Sequence, residues 1–298
     1  MLSAFIPGKG TIMRRWIVWL VWCMVWCGWF SNSLVAADHA ENALYLKLVK
    51  SGIQIGDQSL TLPEPYLVDG LSPAEQRQVV EKLPGRHQEV EEMLRLSPVA
   101  PFAVKFQDIP TGLADYPAKR IDLAFVTPGT LDKLARTDVL DRLLNSGRTD
   151  AQITPLGEPA QATENRGQAH VALPLMDRVL LEGTMQTMWT RNSHSLILAG
   201  QLDPQFTSHA QYPNRWRLLQ RDAEGKLQPL PASQPYEAVG YYFKFTNLAG
   251  MEDALLVEAH LLFAEPAAWF DGANLLRSKL PMVLQTKIRA FRRDLMRP

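Results

Sequence analysis

The 298-residue chain has two cysteines, and both fall in one short apolar segment near its start. Beyond that segment there is no thiol, which excludes a disulfide scaffold, a thiolate metal site and a cysteine nucleophile from the remainder. Net charge is equally scarce. The 31 basic side chains balance 31 acidic ones, and a near-neutral chain gives no electrostatic reason to expect nucleic acid as a partner. Catalytic signatures are missing as well. There is no G-x-S-x-G, no H-E-x-x-H, no phosphate-binding G-x-x-x-x-G-K-S/T, no G-x-G-x-x-G and no EF-hand loop. The six histidines (39, 87, 170, 194, 209 and 260) stand at no metal-ligand spacing from one another. No metal and no cofactor is implied, and no internal repeat or low-complexity tract occurs.

What is present at the start speaks to location. Arg14 and Arg15 precede an uncharged apolar run from Trp16 to Phe30 that holds both cysteines and five of the eight tryptophans. Ser31-Asn32-Ser33 and then Val35-Ala36-Ala37 follow. This is the order of a secretory signal peptide spanning 1–37, with cleavage after Ala37 and with Met13 as an alternative start. As a helix the apolar run reaches about 22 Å, short of the roughly 30 Å of bilayer hydrocarbon. Counted on to Ala37 it attains spanning length, so a retained N-terminal anchor is the alternative. Trp22 and Trp26 precede the two cysteines where a lipoprotein signal carries a small residue. Lys9, Arg14 and Arg15 leave with the segment and no acid does, so the mature chain is slightly acidic. The expectation is a cysteine-free exported protein, periplasmic or secreted, whose residues 38–298 form one domain. The polar stretch 157–168 marks a sub-boundary within it.

The pattern of that domain is α+β: a helix-rich N-terminal part, then an antiparallel sheet of hairpins packed by a long C-terminal helix. "ENALYLKLVKSG" reads as a short helix ended by Gly52, and "IQIGDQSLTLP" as a small hairpin. "LSPAEQRQVVEKLPG" carries a capping box, with Ser72 at the N-cap, Pro73 first in the helix and Glu75 third. "RHQEVEEMLRL", "GTLDKLART" and "DVLDRLLNSG" read as further helices, and "FAVKFQDI" and "RIDLAFVT" as strands. Three hairpins are predicted beyond residue 170, turning at 191–194, at 222–225 and near Gly250. In the last segment Leu284, Ile288, Phe291 and Leu295 share one helical face, with Pro281 near the start.

"LPEPYLVDGLSPAEQ" (62–76), "YPNRWR" (212–217) and "LLFAEPAAWFDGANLLRSKLP" (261–281) together resemble a family of exported proteins of planctomycete-type bacteria that carries no assigned activity. The order of elements, hairpins closing on a long helix, resembles the helix-grip (START-like) fold. That second resemblance implies a sheet around the helix and an apolar cavity between them, but fold alone carries no function.

Three sets of residues carry the candidate chemistry. Glu258 and His260 are two apart on a strand and share a face. They read as the solvent side of a half-buried strand, or else as a general base with its orienting carboxylate, which is the hydrolase alternative. Tyr241, Phe243 and Phe245 on one strand face, with Trp189 and Trp216, read as core or as the lining of a site for an apolar small molecule. Arg289, Arg292, Arg293 and Arg297 make the C-terminal helix basic. They read as a solvated surface that offsets the helix dipole, or as contacts to an anionic membrane surface or an envelope protein. "WFDGANLL" reads as structural, with Asp271 or Asn274 capping the helix. The reading that emerges is a non-enzymatic exported protein, binding an apolar small molecule or serving envelope assembly.

Overall fold

A computed structural model describes residues 39–112, 117–135, 152–156, 166–236, 238–270 and 275–297. The expected signal segment, the "DVLDRLLNSG" helix and the caps at Asp271 and Asn274 lie outside the described residues. The strands are β1 (Ile53–Ile55), β2 (Gln58–Leu60), β3 (Ala103–Ile109), β4 (Ala118–Pro128), β5 (Gln152–Pro155), β6 (Arg166–Leu175), β7 (Val179–Arg191), β8 (Ser195–Leu202), β9 (Arg215–Arg221), β10 (Leu227–Pro229), β11 (Gln234–Pro235), β12 (Val239–Asn247) and β13 (Ala254–Ala264). β1 and β2 form their own hairpin. The others build one antiparallel sheet in the order β10-β9-β7-β8-β12-β13-β4-β3, with β6 on β7, β5 on β6 and β11 on β9.

The central strands β8, β12, β13 and β4 are apolar because both faces are covered. Every residue of β8 and β13 is buried. Register decides which side chain serves which face. Tyr241 pairs with Leu261, Phe243 with Ala259 and Lys244 with Glu258. A slip of one residue would send the aromatic row to the face that holds the charges.

The C-terminal helix (Leu275–Met296) lies on one face. Its stripe of Leu284, Ile288, Phe291 and Leu295 is buried as the spacing predicts. Pro281, expected near the start of the helix, sits inside it, six residues past the first one. The N-terminal segment covers the other face. It contains a short helix at Ala43–Leu46 that continues as a π turn over Lys47–Ser51, the β1–β2 hairpin, an extended strap, and a helix at Pro73–Glu81. Gly52 ends the first helix at φ 78° with its Cα pressed against the Leu60 carbonyl, leaving no room for a Cβ. The capping box at Ser72 and Glu75 forms in both directions. "RHQEVEEMLRL" yields only one turn, Val90–Met93, with Val90 and Met93 buried. A second apolar cluster, including Leu67, Val80, Met93, Val126 and Leu256, seats these pieces on the sheet.

Two further expectations change. The segment from Ala172 to Thr190, expected as one continuous arm of the hairpin that turns at 191–194, contains a tight turn at Met176 and Asp177, both at positive φ (48° and 55°), which separates β6 from β7. Met-Asp lacks the glycine that usually announces a primed turn, so composition gives little sign of it. Residues 166–168 of the expected linker belong to β6, and β5 on its other side pairs with β6 directly.

Candidate functional site

The face beneath the N-terminal segment carries a polar seam across the centre of the sheet. Glu258, expected to face solvent, is fully buried, as is His260 at 1 % exposure. The expectation fails because the strap at 62–71 lies over the face that alternation assigned to water. The Glu258 Oε1 accepts from the Tyr66 amide (2.7 Å) and Oε2 from the Leu67 amide (3.1 Å). Burial raises the Glu258 carboxyl above its ordinary range, against the opposing pull of His260, the two amides and Lys244. His260 does not turn to Glu258. Its Nδ1 meets Asp122 Oδ1 at 2.8 Å, a pairing set by the β13–β4 register. Its ring lies between Tyr242 (4.8 Å between centroids) and Tyr66 (5.6 Å). Asp122 also accepts from Arg120, which donates to Gln107.

The seam continues through Lys244, 4 % exposed, whose Nζ donates to the Leu67 carbonyl (2.7 Å) and pairs with Asp69 (2.7 Å). Asp69 accepts from Asn192 (2.8 Å) and from the Ser195 hydroxyl (2.7 Å). Burial pushes the Asp69 carboxyl up, but hydrogen bonds from Lys244, Asn192 and Ser195 outweigh it and hold the group below the ordinary carboxylate range. His39 Nε2 lies 2.6 Å from the Ser195 oxygen and Nδ1 3.0 Å from Thr190. With the hydroxyl proton given to Asp69, His39 donates to Ser195, the reverse of what a serine nucleophile requires. Ser195 is fully buried. Ser195, Glu258 and His260 are shut off from solvent, and the seam fastens the strap by satisfying backbone groups that burial would otherwise orphan.

The opposite face is apolar. Tyr241, Phe243 and Phe245 are buried in a row, with centroid separations of 5.9 and 6.3 Å. Phe291 stacks on Phe245 at 6.4 Å and meets Phe125 edge-on at 5.9 Å. Gly200 opposite Tyr241 leaves the space that its ring fills. Trp216 packs with Trp269 near the start of the helix, and Trp189 is half-buried against the same core. These five expected ligand-lining aromatics are core side chains, and none of them lines the groove described next.

That groove opens where the C-terminal helix meets the β3 edge, and its volume is about 330 Å³. Phe102, Val104 and Ile288 provide apolar wall, while Gln88, Gln285 and Arg289 provide polar rim. Arg292 forms its inner end and corrects the expected basic surface. It is 1 % exposed and donates to the carbonyls of Val126 (2.7 Å), Pro101 (3.0 Å) and Ala100. Its guanidinium lies 5.5 Å from the Phe125 ring centre. Burial and the nearby Arg289 push its pKa down to about 10. A planar fork that reaches three carbonyls explains why the side chain turns inward. Arg293 and Arg297 remain exposed and Arg289 is half-buried. Arg297 pairs with Asp294 at 3.0 Å.

Sequence reasoning missed Asp69, Asp122 and Lys244. Two of them did leave a trace, because a charge inside "YYFKF" or "RIDLAF" is out of place in a strand otherwise fit for a core. Among the described residues no group of three or more His, Cys, Asp or Glu could hold a metal, and no helix is long and apolar enough to cross a membrane.

No protein-family model matches the chain, and no curated protein matches it in sequence. Among solved structures it is similar to the human StarD13 (DLC2) lipid transfer and protein localization domain. The identity is 10 % and the TM-score 0.38, over 78 % of this chain and 100 % of that one. It is similar also to human STARD10, at 10 % identity and TM-score 0.38, over 81 % of this chain and 83 % of that one. A likeness at this level carries no argument about ligand or activity.

Proposed function

We propose that the protein is an exported, non-enzymatic binding protein whose ligand is a small apolar molecule seated between the C-terminal helix and the β3 edge. The observation that carries this reading is the groove itself: about 330 Å³ with an apolar wall and a few convergent polar groups. That is the build, at the lower end of the usual size, of a small-molecule site. The closure of Glu258 and His260 under the strap favours binding over hydrolysis. The proposal of export rests on Arg14, Arg15, the apolar run and Val35-Ala36-Ala37. Mass spectrometry of protein from the producing cell is expected to give Asp38 as the N-terminus. Retention of the Trp-rich segment in a membrane fraction would instead favour the anchored form.

Binding is tested with a solvatochromic dye and displacement by octanol. Val104→Trp, a half-buried position on the groove wall, is expected to abolish dye uptake while leaving the unfolding transition cooperative. Undiminished uptake by the folded variant means that the groove is not the site.

A further inference from the structure

We infer that the groove selects a molecule bearing an oxyanion, a carboxylate or phosphate group, held by Arg289 with Arg292 behind it. The inference rests on the apolar-ligand reading above and names the polar end of that ligand. Two independent observations support it. First, Arg292 is a cation buried to 1 % exposure whose three hydrogen-bond acceptors are all neutral carbonyls. A buried charge is ordinarily paired with its opposite, and here no acidic side chain lines the groove. The three carbonyls use three of the five N–H donors that a guanidinium carries, so two are left for another acceptor.

Second, Arg289 lies one helical turn before Arg292 on the groove wall, half-buried, with no hydrogen-bond or ion-pair partner among the described residues. Asp294, on the same helix but not in the groove wall, pairs through Oδ1 with Arg297. Two like charges placed side by side in a concave site disfavour each other, and an oxyanion between them reverses the sign of that interaction. Arg289 in particular can offer a bidentate pair of donors of the kind that carboxylates and phosphates accept. Phe102, Val104 and Ile288 then face the rest of the molecule. The occupant is an amphiphile with an anionic head at the guanidinium groups and a short apolar body along the β3 edge.

The experiment measures binding of octanoate, octanol, acetate and inorganic phosphate to the purified exported chain and to Arg289→Gln and Arg289→Lys, by calorimetry or ligand-observed NMR. Octanoate is expected to bind at least about tenfold more tightly than octanol, as charge-assisted hydrogen bonds to a guanidinium require. Arg289→Gln should erase that preference without weakening octanol, and Arg289→Lys should keep part of it. Unchanged unfolding midpoints show that Arg292 still holds its carbonyls. Equal binding of octanol and octanoate by the unaltered protein overturns the inference and leaves the apolar-ligand reading standing. An octanoate preference that survives Arg289→Gln also overturns it, because the anion then sits elsewhere. Binding of neither compound overturns both. Acetate or phosphate binding as tightly as octanoate shows a site for free anions, which overturns the amphiphile and the apolar-ligand reading with it.

Discussion

The two faces of the sheet are covered by different physics. The C-terminal helix is held by area: Leu284, Ile288, Phe291 and Leu295 insert among Tyr241, Phe243, Phe245 and Phe125, with few directional bonds between them. Such a contact tolerates small displacements, because dispersion and burial change gradually with position. The N-terminal strap is held chiefly by donors and acceptors. Glu258 takes two amides, Lys244 takes a carbonyl and Asp69, and Tyr242 donates to the Pro63 carbonyl. Those bonds fix position sharply, and each one lost leaves a desolvated group behind. Arg292, the polar clamp with three carbonyl acceptors on the helix side, occurs where the groove opens.

Phe291→Ala should have the largest effect, about 3–5 kcal/mol in urea unfolding, since it removes the ring that links Phe245 and Phe125. Amide exchange should then accelerate in the C-terminal helix while the Tyr66 and Leu67 amides stay protected. Loss of protection on both sides together would show that the two faces are one cooperative unit. Glu258→Ala should cost roughly 2–4 kcal/mol, by leaving those two amides without acceptors. Its exchange pattern should be the converse, with the strap opened and the helix intact.

Asp69→Asn is expected to cost about 1–2 kcal/mol at neutral pH, where the carboxylate pairs with Lys244. The folded-state value of Asp69 lies below its unfolded value, so its contribution is full above the ordinary aspartate range and is lost as pH falls through the folded value. The stability gap between the two proteins should therefore narrow below about pH 4. A gap that stays constant down to full protonation would mean that charge has no part in the strap's attachment. Arg293→Ala, on the exposed side of the helix, should change stability by no more than about 0.5 kcal/mol. A larger loss would show that the basic side of the helix carries weight that apolar burial does not explain.

Much of the fold was legible because it rests on local chemistry. The capping box at Ser72 and Glu75, the positive-φ Gly52, the turns near Asp222 and Gly250 and the stripe from Leu284 to Leu295 each depend on residues within a few positions of one another. The candidate sites were less so. Alternation correctly grouped Glu258 with His260 and Tyr241 with Phe243 and Phe245, but alternation states only that two residues share a face. Whether a face is wet depends on what folds over it.

By itself the sequence determined a cysteine-free α+β chain behind its N-terminal segment, which residues share each strand face, and which helical stripe must be buried. Only the tertiary structure decided that the strap at 62–71 seals Glu258 and His260 and that Asp122 rather than Glu258 holds the imidazole. It also decided that Arg292 turns inward to three carbonyls while Arg289 is left beside a groove. The reason is physical. Periodicity is a property of neighbouring residues, whereas desolvation and charge pairing are set by groups more than a hundred positions apart. Their energies appear only once the chain has closed over them.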